Sequence, residues 1–284
     1  MSLDRRTFIV SASAGLGALA TMGILTPSAS ADETEAVLSR QAPTSAIFPK
    51  QDPAIVGDFV GSAHRNFDRV RELLEANPEL IVSAWEWGFG DWETALGAAS
   101  HMGRLDIGQY LLDHGARADI FSMVLLGKLD AVQAMLAADK SLATTPGPHG
   151  IPLIRHASSA LEFEGLSPEQ TTQAQRMYDF LMTVDGASGP PAAHVLDEKT
   201  RDEFLGRYLY GSGAGDVIVV SKNMQGTLSL KPGKSGAQPL VALAPDLFGF
   251  AAARSVHVQF ERKDGKPSGV TILAHGETVR ATRE

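Results

Sequence analysis

Apolar residues recur at helical spacing between residues 53 and 189. Three apolar side chains at positions i, i+3 and i+4 lie on one face of a helix, and this triplet occurs four times at unequal intervals. The four triplets are Val70/Leu73/Leu74, Ile107/Tyr110/Leu111, Val132/Met135/Leu136 and Met177/Phe180/Leu181. One pair of short helices cannot bury its own apolar face, so the pattern predicts a row of stacked helix pairs.

After residue 200 the pattern changes to short apolar runs that are separated by glycine-rich turns. Val256, Val258 and Phe260 alternate with polar residues, which is the period of a half-buried strand. Asp264-Gly265 is a favourable hairpin turn. The sequence therefore predicts a compact antiparallel β domain, a curled sheet or small barrel, over residues 200–284.

A motif in the helical segment resembles an ankyrin repeat. Thr94-Ala95-Leu96-Gly97-Ala98-Ala99 stands where that family has Thr-Pro-Leu-His-x-Ala, and Gly115-Ala116 closes the helix that follows. The resemblance implies an α-solenoid of about four degenerate units over residues 53–189. It also implies recognition of other proteins through loop tips and the inner helix face.

The C-terminal segment resembles the small β module that is appended to some serine hydrolases of the β-lactamase-like class. Leu205-Gly206-Arg207-Tyr208 and Val258-Gln259-Phe260-Glu261-Arg262 carry this resemblance. It implies a fold and no catalysis, because the catalytic domain of those proteins is missing. The predicted fold class is thus α+β and multidomain, with an ankyrin-repeat solenoid followed by a small antiparallel β domain.

The N-terminus has the features of an export signal. Asp4-Arg5-Arg6-Thr7-Phe8-Ile9 resembles the twin-arginine signal, and Ala29-Ser30-Ala31 offers a cleavage site after an apolar run. We therefore expect a signal peptide at 1–31, linkers at 32–52 and 190–199, and a periplasmic product that is not inserted into the membrane after cleavage.

Composition and motifs argue against several chemistries. The net charge of −8 disfavours nucleic-acid binding, and the lack of cysteine excludes disulfides, thiolate catalysis and zinc sites with sulfur ligands. Ser-x-x-Lys, Gly-x-Ser-x-Gly and His-Glu-x-x-His are absent. The eight histidines show no pairs at helix-face spacing. We expect no catalytic residue, no metal and no cofactor.

The segment 85–93, here called the Trp-rich loop, holds all three tryptophans. They either fill gaps over the first helix pair or form a recognition patch, since aromatic residues with nearby charges make good anchors. Acidic side chains there favour a cationic or hydroxyl-rich partner. Two histidines join the candidate set, one of them in the segment 147–150, here called the Gly-Pro-His-Gly loop. The candidate binding residues are Trp85, Glu86, Trp87, Asp91, Trp92, Glu93, His101 and His149.

Three functions are consistent with these features. The first is non-catalytic recognition of a protein or peptide in the cell envelope through the Trp-rich loop. The alternative is a hydrolase whose site lies between the Trp-rich loop and the Gly-Pro-His-Gly loop. The third is a structural helical array whose β domain does the binding.

Overall fold

Short helices make up the first half of the described chain, and strands make up the second half. The computed structural model describes residues 50–189, 193–223, 226–233, 236–253 and 255–284. The expected signal peptide and nearly all of the first linker lie outside the described residues, as do residues 190–192 of the second linker. Within the described ranges, no helix has the length and apolar character needed to cross a membrane.

Nine α-helices are present in the described residues. They are α1 (Pro53–Ser62), α2 (Phe67–Ala76), α3 (Ala95–His101), α4 (Leu105–Asp113), α5 (Ile120–Leu125), α6 (Leu129–Ala138), α7 (Leu153–Leu161), α8 (Pro168–Met182) and α9 (Glu198–Asp202). Three 3₁₀ helices connect some of them, at Pro78–Val82, Lys140–Thr144 and Pro148–Gly150.

Side-chain caps fix where several helices begin. The Thr94 hydroxyl accepts a hydrogen bond from the Gly97 N–H at 3.0 Å, so α3 starts directly after Thr94, the residue that follows Glu93. Ser167 and Gln170 form a reciprocal capping box at the start of α8. Such caps satisfy backbone N–H groups that a helix start leaves without partners.

The apolar triplets face the interior of the helical half. Val70, Ile107, Val132 and Met177 are fully buried. The helices α1, α3, α5 and α7 follow one another in space, with α3 in contact with both α1 and α5, and α5 in contact with α7.

Two strands, β1 (Ala84–Glu86) and β2 (Trp92–Thr94), form a hairpin in the helical half, and eight further strands form a closed antiparallel barrel. The barrel strands are β3 (Gly206–Leu209), β4 (Val217–Lys222), β5 (Leu228–Pro232), β6 (Gln238–Ala244), β7 (Leu247–Phe250), β8 (His257–Lys263), β9 (Lys266–Ala274) and β10 (Glu277–Arg283). Each strand pairs with its sequence neighbour, and β10 closes the barrel on β3 with Arg283 opposite Tyr208. Aromatic side chains fill the interior, as expected for a barrel of this size. They are Phe204, Tyr208, Phe248, Phe250 and Phe260.

The predicted fold class, an ankyrin-repeat solenoid followed by a small antiparallel β domain, is wrong. Residues Lys50–Glu284 form one compact unit of helices and a closed barrel. The loops that a solenoid would leave free contact the barrel: Phe89 stacks on Phe250 with ring centroids 4.4 Å apart. Local apolar periodicity identifies the face of each element, but it does not specify barrel closure or what covers a loop.

Candidate metal centre

The Trp-rich loop folds into a tight β-hairpin. Its strands are β1 (Ala84–Glu86) and β2 (Trp92–Thr94), and they pair with Trp85 opposite Glu93. Gly88, Phe89 and Gly90 all have positive φ, at 116°, 58° and 85°, which permits the sharp turn between the strands. Because side chains alternate along a strand, β2 buries Glu93 and exposes its two neighbours.

The three tryptophans lie in different environments. Trp85 packs against α1, where its ring lies 3.3 Å from the position that a Cβ on Gly57 would take. Trp87 is also half-buried, and its indole N–H donates to Glu93 Oε2 at 2.7 Å. Trp92 is 63% exposed. Two rings thus belong to the helical interior, and one is available at the surface.

Glu93 lies at the centre of three imidazoles, and its side chain is fully buried. His101 Nε2 is 3.0 Å from Glu93 Oε1, and the Nε2 atoms of His64 and His149 are 3.4 and 3.5 Å from Oε2. One nitrogen or oxygen atom from each of these four residues lies within 4.8 Å of the others. We call these four residues the His₃Glu cluster.

Four separate segments supply the cluster. His64 follows α1, Glu93 is on β2, His101 ends α3, and His149 is in the 3₁₀ helix of the Gly-Pro-His-Gly loop. The stacking of α1 and α3 and the short connection from β2 into α3 bring three of these segments together. The cluster is therefore a product of the tertiary fold.

Asp91 fixes the position of His149 through two contacts. Its Oδ1 accepts the backbone N–H of His149 at 3.0 Å, and its Oδ2 lies 2.6 Å from the ring Nδ1. Asp91 is itself almost completely buried. His149 has φ 57° and ψ 16°, a left-handed conformation that costs a non-glycine residue about 1–3 kcal/mol. These contacts hold Nε2 of His149 toward Glu93.

His64 is oriented in a similar way by backbone carbonyls. Its Nδ1 lies 3.2 Å from the Val60 oxygen and 3.1 Å from the Gly61 oxygen, so Nδ1 carries the proton. The unprotonated Nε2 of the neutral ring then faces Glu93. An imidazole whose other nitrogen donates to a carboxylate or carbonyl is the usual arrangement of a metal-binding histidine.

The ionisable groups of the cluster shift one another's pKa values. Burial tends to raise the pKa of Glu93, but the adjacent rings of His101 and His149 lower it to about 2. Burial tends to lower the pKa of His149, but hydrogen bonds and attraction to Asp91 and Glu93 raise it to about 10. Burial lowers the pKa of His64. At neutral pH the metal-free protein therefore holds His149 as an imidazolium between the carboxylates of Asp91 and Glu93.

Two buried atoms of the cluster lack a hydrogen-bond partner among the described residues. They are Glu93 Oε1 and His101 Nε2, which face each other without hydrogen-bond geometry. Buried polar atoms are normally satisfied, so this pair calls for an explanation. Bonds of about 2.1 Å to one metal ion place adjacent ligand atoms about 3.0 Å apart in an octahedron and about 3.4 Å apart in a tetrahedron. The three histidine–Glu93 separations of 3.0–3.5 Å are of this size, and all four ligand atoms lie within 4.8 Å of one another.

A buried serine–histidine pair supports the helix that carries His101. The Ser100 hydroxyl donates to the Phe121 carbonyl at 2.8 Å, and it lies 2.8 Å from His156 Nδ1. Burial lowers the pKa of His156 to about 3, so this ring is neutral. The pair links α3 to α5 and α7, and it fixes the end of α3 beside the cluster.

A large pocket borders the cluster. Its volume is about 940 Å³, and His101 and His149 lie in its wall. The helical half also contributes Met102, Ile151 and Phe163, and the barrel contributes residues of β6. A second cavity of about 580 Å³ adjoins it and shares part of its wall. An ion in the His₃Glu cluster would lie next to this space.

The structure brings together five of the candidate residues: Trp87, Asp91, Glu93, His101 and His149. Trp87 binds Glu93, whereas Glu86 lies at the exposed side of the hairpin and accepts the Gly90 N–H. Sequence reasoning missed His64, which lies in no motif. The sequence also predicts no metal, because no two of its histidines have the spacing of neighbours on one helix face. Ligands that come from four segments leave no such spacing.

No protein-family model matches this chain, and neither curated proteins nor solved structures yield a match. The function proposed below is therefore supported by the geometry of the described residues.

Replacing Asp91 with asparagine should weaken binding of a metal ion in the cluster by about 10- to 100-fold, the usual cost of losing a partner of a metal ligand. The amide keeps one of the two oxygen acceptors that hold His149, and it removes the charge that orients the ring. Titration of the metal-free protein with Co²⁺ measures the effect. Asp68→Asn, at an exposed aspartate of α2, is the matched control, and equal affinities for the two variants would contradict this role of Asp91.

Proposed function

We propose that this protein binds one divalent transition-metal ion through His64, Glu93, His101 and His149. The observation that carries the proposal is the fully buried Glu93 carboxylate, which has three imidazole nitrogens within 3.0–3.5 Å and one oxygen without a hydrogen-bond partner among the described residues. Imidazole and carboxylate ligands suit zinc, iron, nickel or copper. Calcium and magnesium prefer oxygen ligands alone.

Metal titration with thermal unfolding tests the proposal. Chelator-treated protein should take up one Co²⁺ or Zn²⁺ per chain, and Mg²⁺ at the same concentration should not compete. An ion at about 1,000 times its Kd stabilises the folded state by about 4 kcal/mol. At about 2–4 °C per kcal/mol, Tm should rise by roughly 8–16 °C. His257→Ala, at an exposed histidine of β8, should behave like the wild type. No uptake by a folded protein would refute the proposal.

Ion binding should also release a proton from His149. The folded-state pKa of this ring is raised to about 10, so the metal-free protein holds the proton throughout the neutral range. The ion needs the neutral ring, so its affinity should rise about tenfold per pH unit between pH 6.5 and 8 and fall as pH drops. Calorimetric titration in buffers of different ionisation enthalpy measures the number of protons. Release of no proton would show that His149 does not bind the ion.

The position of the centre supports the hydrolase alternative. The His₃Glu cluster lies between the Trp-rich loop, which supplies Glu93, and the Gly-Pro-His-Gly loop, which supplies His149. A metal ion polarises carbonyl or phosphoryl oxygens and lowers the pKa of bound water. We therefore include metal-assisted hydrolysis in the proposal as the activity to assay.

Recognition of an envelope protein is a second candidate, and the exposed ring of Trp92 favours it. Trp92→Ala should then abolish capture of a periplasmic partner while leaving Tm nearly unchanged. Trp85→Ala is the comparison, because its ring packs against α1 and its loss should lower Tm. Capture that is unaffected by Trp92→Ala would end this proposal. Export to the periplasm remains a prediction from the N-terminal signal.

A further inference from the structure

The pocket beside the His₃Glu cluster has the size and lining of a ligand site. Its volume of about 940 Å³ lies within the usual range for small-molecule sites, which are lined mostly by apolar groups with a few polar groups that orient the ligand. Apolar walls come from both halves of the molecule. They include Met102, Ile151, Phe163, Leu240 and Val241. The polar groups at the cluster end are the rings of His101 and His149.

The protein supplies four ligand atoms, and divalent transition metals such as Co²⁺ also bind six in octahedral sites. A six-coordinate ion in the cluster then has two coordination positions left over. Two of the ligand rings border the pocket, and the His149 side chain is 23% exposed. The Glu93 side of the ion is closed, because the carboxylate is completely buried under the hairpin. The remaining positions therefore open toward the pocket.

Charge indicates the head group that such a ligand carries. A divalent ion with three neutral imidazoles and one carboxylate has a net charge of +1. An anionic oxygen donor neutralises that charge and matches the ion. Arg155 also lines the pocket, and its guanidinium donates to the Ser158 hydroxyl. Glu162 and Glu164 also line the pocket and offset the charges of Arg155 and Arg104, so the preference for an anion comes from the metal ion.

We propose that the pocket binds an organic carboxylate whose head group coordinates the metal ion and whose apolar body lies against the pocket wall. This proposal rests on the proposed metal centre. It assigns the ligand class: a monocarboxylate with an aliphatic or aromatic body, small enough for about 940 Å³. Binding of such a ligand requires an open metal centre. A closed structural site, at which the protein fills every coordination position, would not bind it.

Cobalt spectroscopy tests this inference. The full chain loaded with Co²⁺ is titrated with acetate and with hexanoate, and the visible absorption of the ion is recorded. Both carboxylates should change the spectrum. Hexanoate should bind at least tenfold more tightly, because each additional buried methylene favours binding.

Two strand variants locate the apolar body. Val241→Trp, in β6, fills the pocket and should remove the preference for hexanoate while leaving Co²⁺ uptake unchanged. Val219→Trp, on β4 and outside the pocket lining, is the matched control and should keep the preference. Unchanged Co²⁺ uptake by both variants shows that they are folded.

Three other outcomes would each overturn part of the proposal. Co²⁺ uptake with no spectral response to either carboxylate overturns the inference and leaves the metal centre standing as a closed site. Equal affinities for acetate and hexanoate, or a hexanoate preference that survives Val241→Trp, overturn the assignment of this pocket. A folded protein without Co²⁺ uptake overturns both the inference and the proposed function.

Discussion

Glu93→Gln is expected to lower Co²⁺ affinity by more than 100-fold, beyond the usual loss when only a partner of a metal ligand is changed. The amide is nearly the same size as the carboxylate, but it lacks the only negative charge within the His₃Glu cluster. Its NH₂ group would also point hydrogen atoms toward imidazole nitrogens or toward the Trp87 N–H, which now donates to Glu93. Equilibrium titration of the metal-free protein measures the change.

Glu86→Gln is the control for that substitution. Glu86 lies on the same hairpin, but it accepts the Gly90 N–H at the surface, and a glutamine oxygen can keep that bond. Its affinity for Co²⁺ should equal that of the wild type. Circular dichroism of both variants verifies that they are folded. Wild-type affinity in a folded Glu93→Gln variant would mean that the ion binds outside the His₃Glu cluster.

Gly150→Ala is expected to lower the free energy of unfolding by about 2–5 kcal/mol and to weaken Co²⁺ binding. Gly150 has φ 72°, and a Cβ there would lie 2.5 Å from both the carbonyl carbon and the Cβ of Ala251. The positive φ costs an alanine about 1 kcal/mol or more, and the overlap adds about 1–3 kcal/mol. Relief of the overlap moves the neighbouring His149. Urea unfolding and metal titration measure the two effects.

Gly165→Ala provides the comparison. Gly165 also has a positive φ, 95°, but a Cβ there would meet no atom within 4 Å. This variant should lose about 1 kcal/mol of stability from the backbone conformation alone, and its metal affinity should be unchanged. If both variants show equal losses, the contact between the Gly-Pro-His-Gly loop and the barrel contributes nothing to the stability.

The sequence predicts the local elements better than their assembly. The apolar triplets lie on buried helix faces, and Val256, Val258 and Phe260 point into the barrel. These patterns depend on the 3.6-residue and two-residue periods, which are properties of neighbouring residues. The pairing of Tyr208 with Arg283 closes the barrel, and no local period specifies a contact over that separation.

The candidate site shows the same division. The concentration of tryptophan and acidic residues in one short segment predicts Asp91 and Glu93 as candidate binding residues. The sequence does not show that these residues alternate along a strand, so that Glu93 points inward and Trp92 points outward. His64 had no distinguishing neighbours in the chain, and its place beside Glu93 depends on how α1 packs against α3. The four residues of the cluster are therefore recognisable as one site only in the folded structure.

The Phe89–Phe250 stack and the close approach of Gly150 to Ala251 connect both ligand-bearing loops to the C-terminal half. A nascent chain that has emerged from the ribosome as far as residue 189 already contains every proposed ligand. It still lacks the surface against which the hairpin and His149 are set. High-affinity binding at the proposed centre would thus require the folded barrel as well as the helical half.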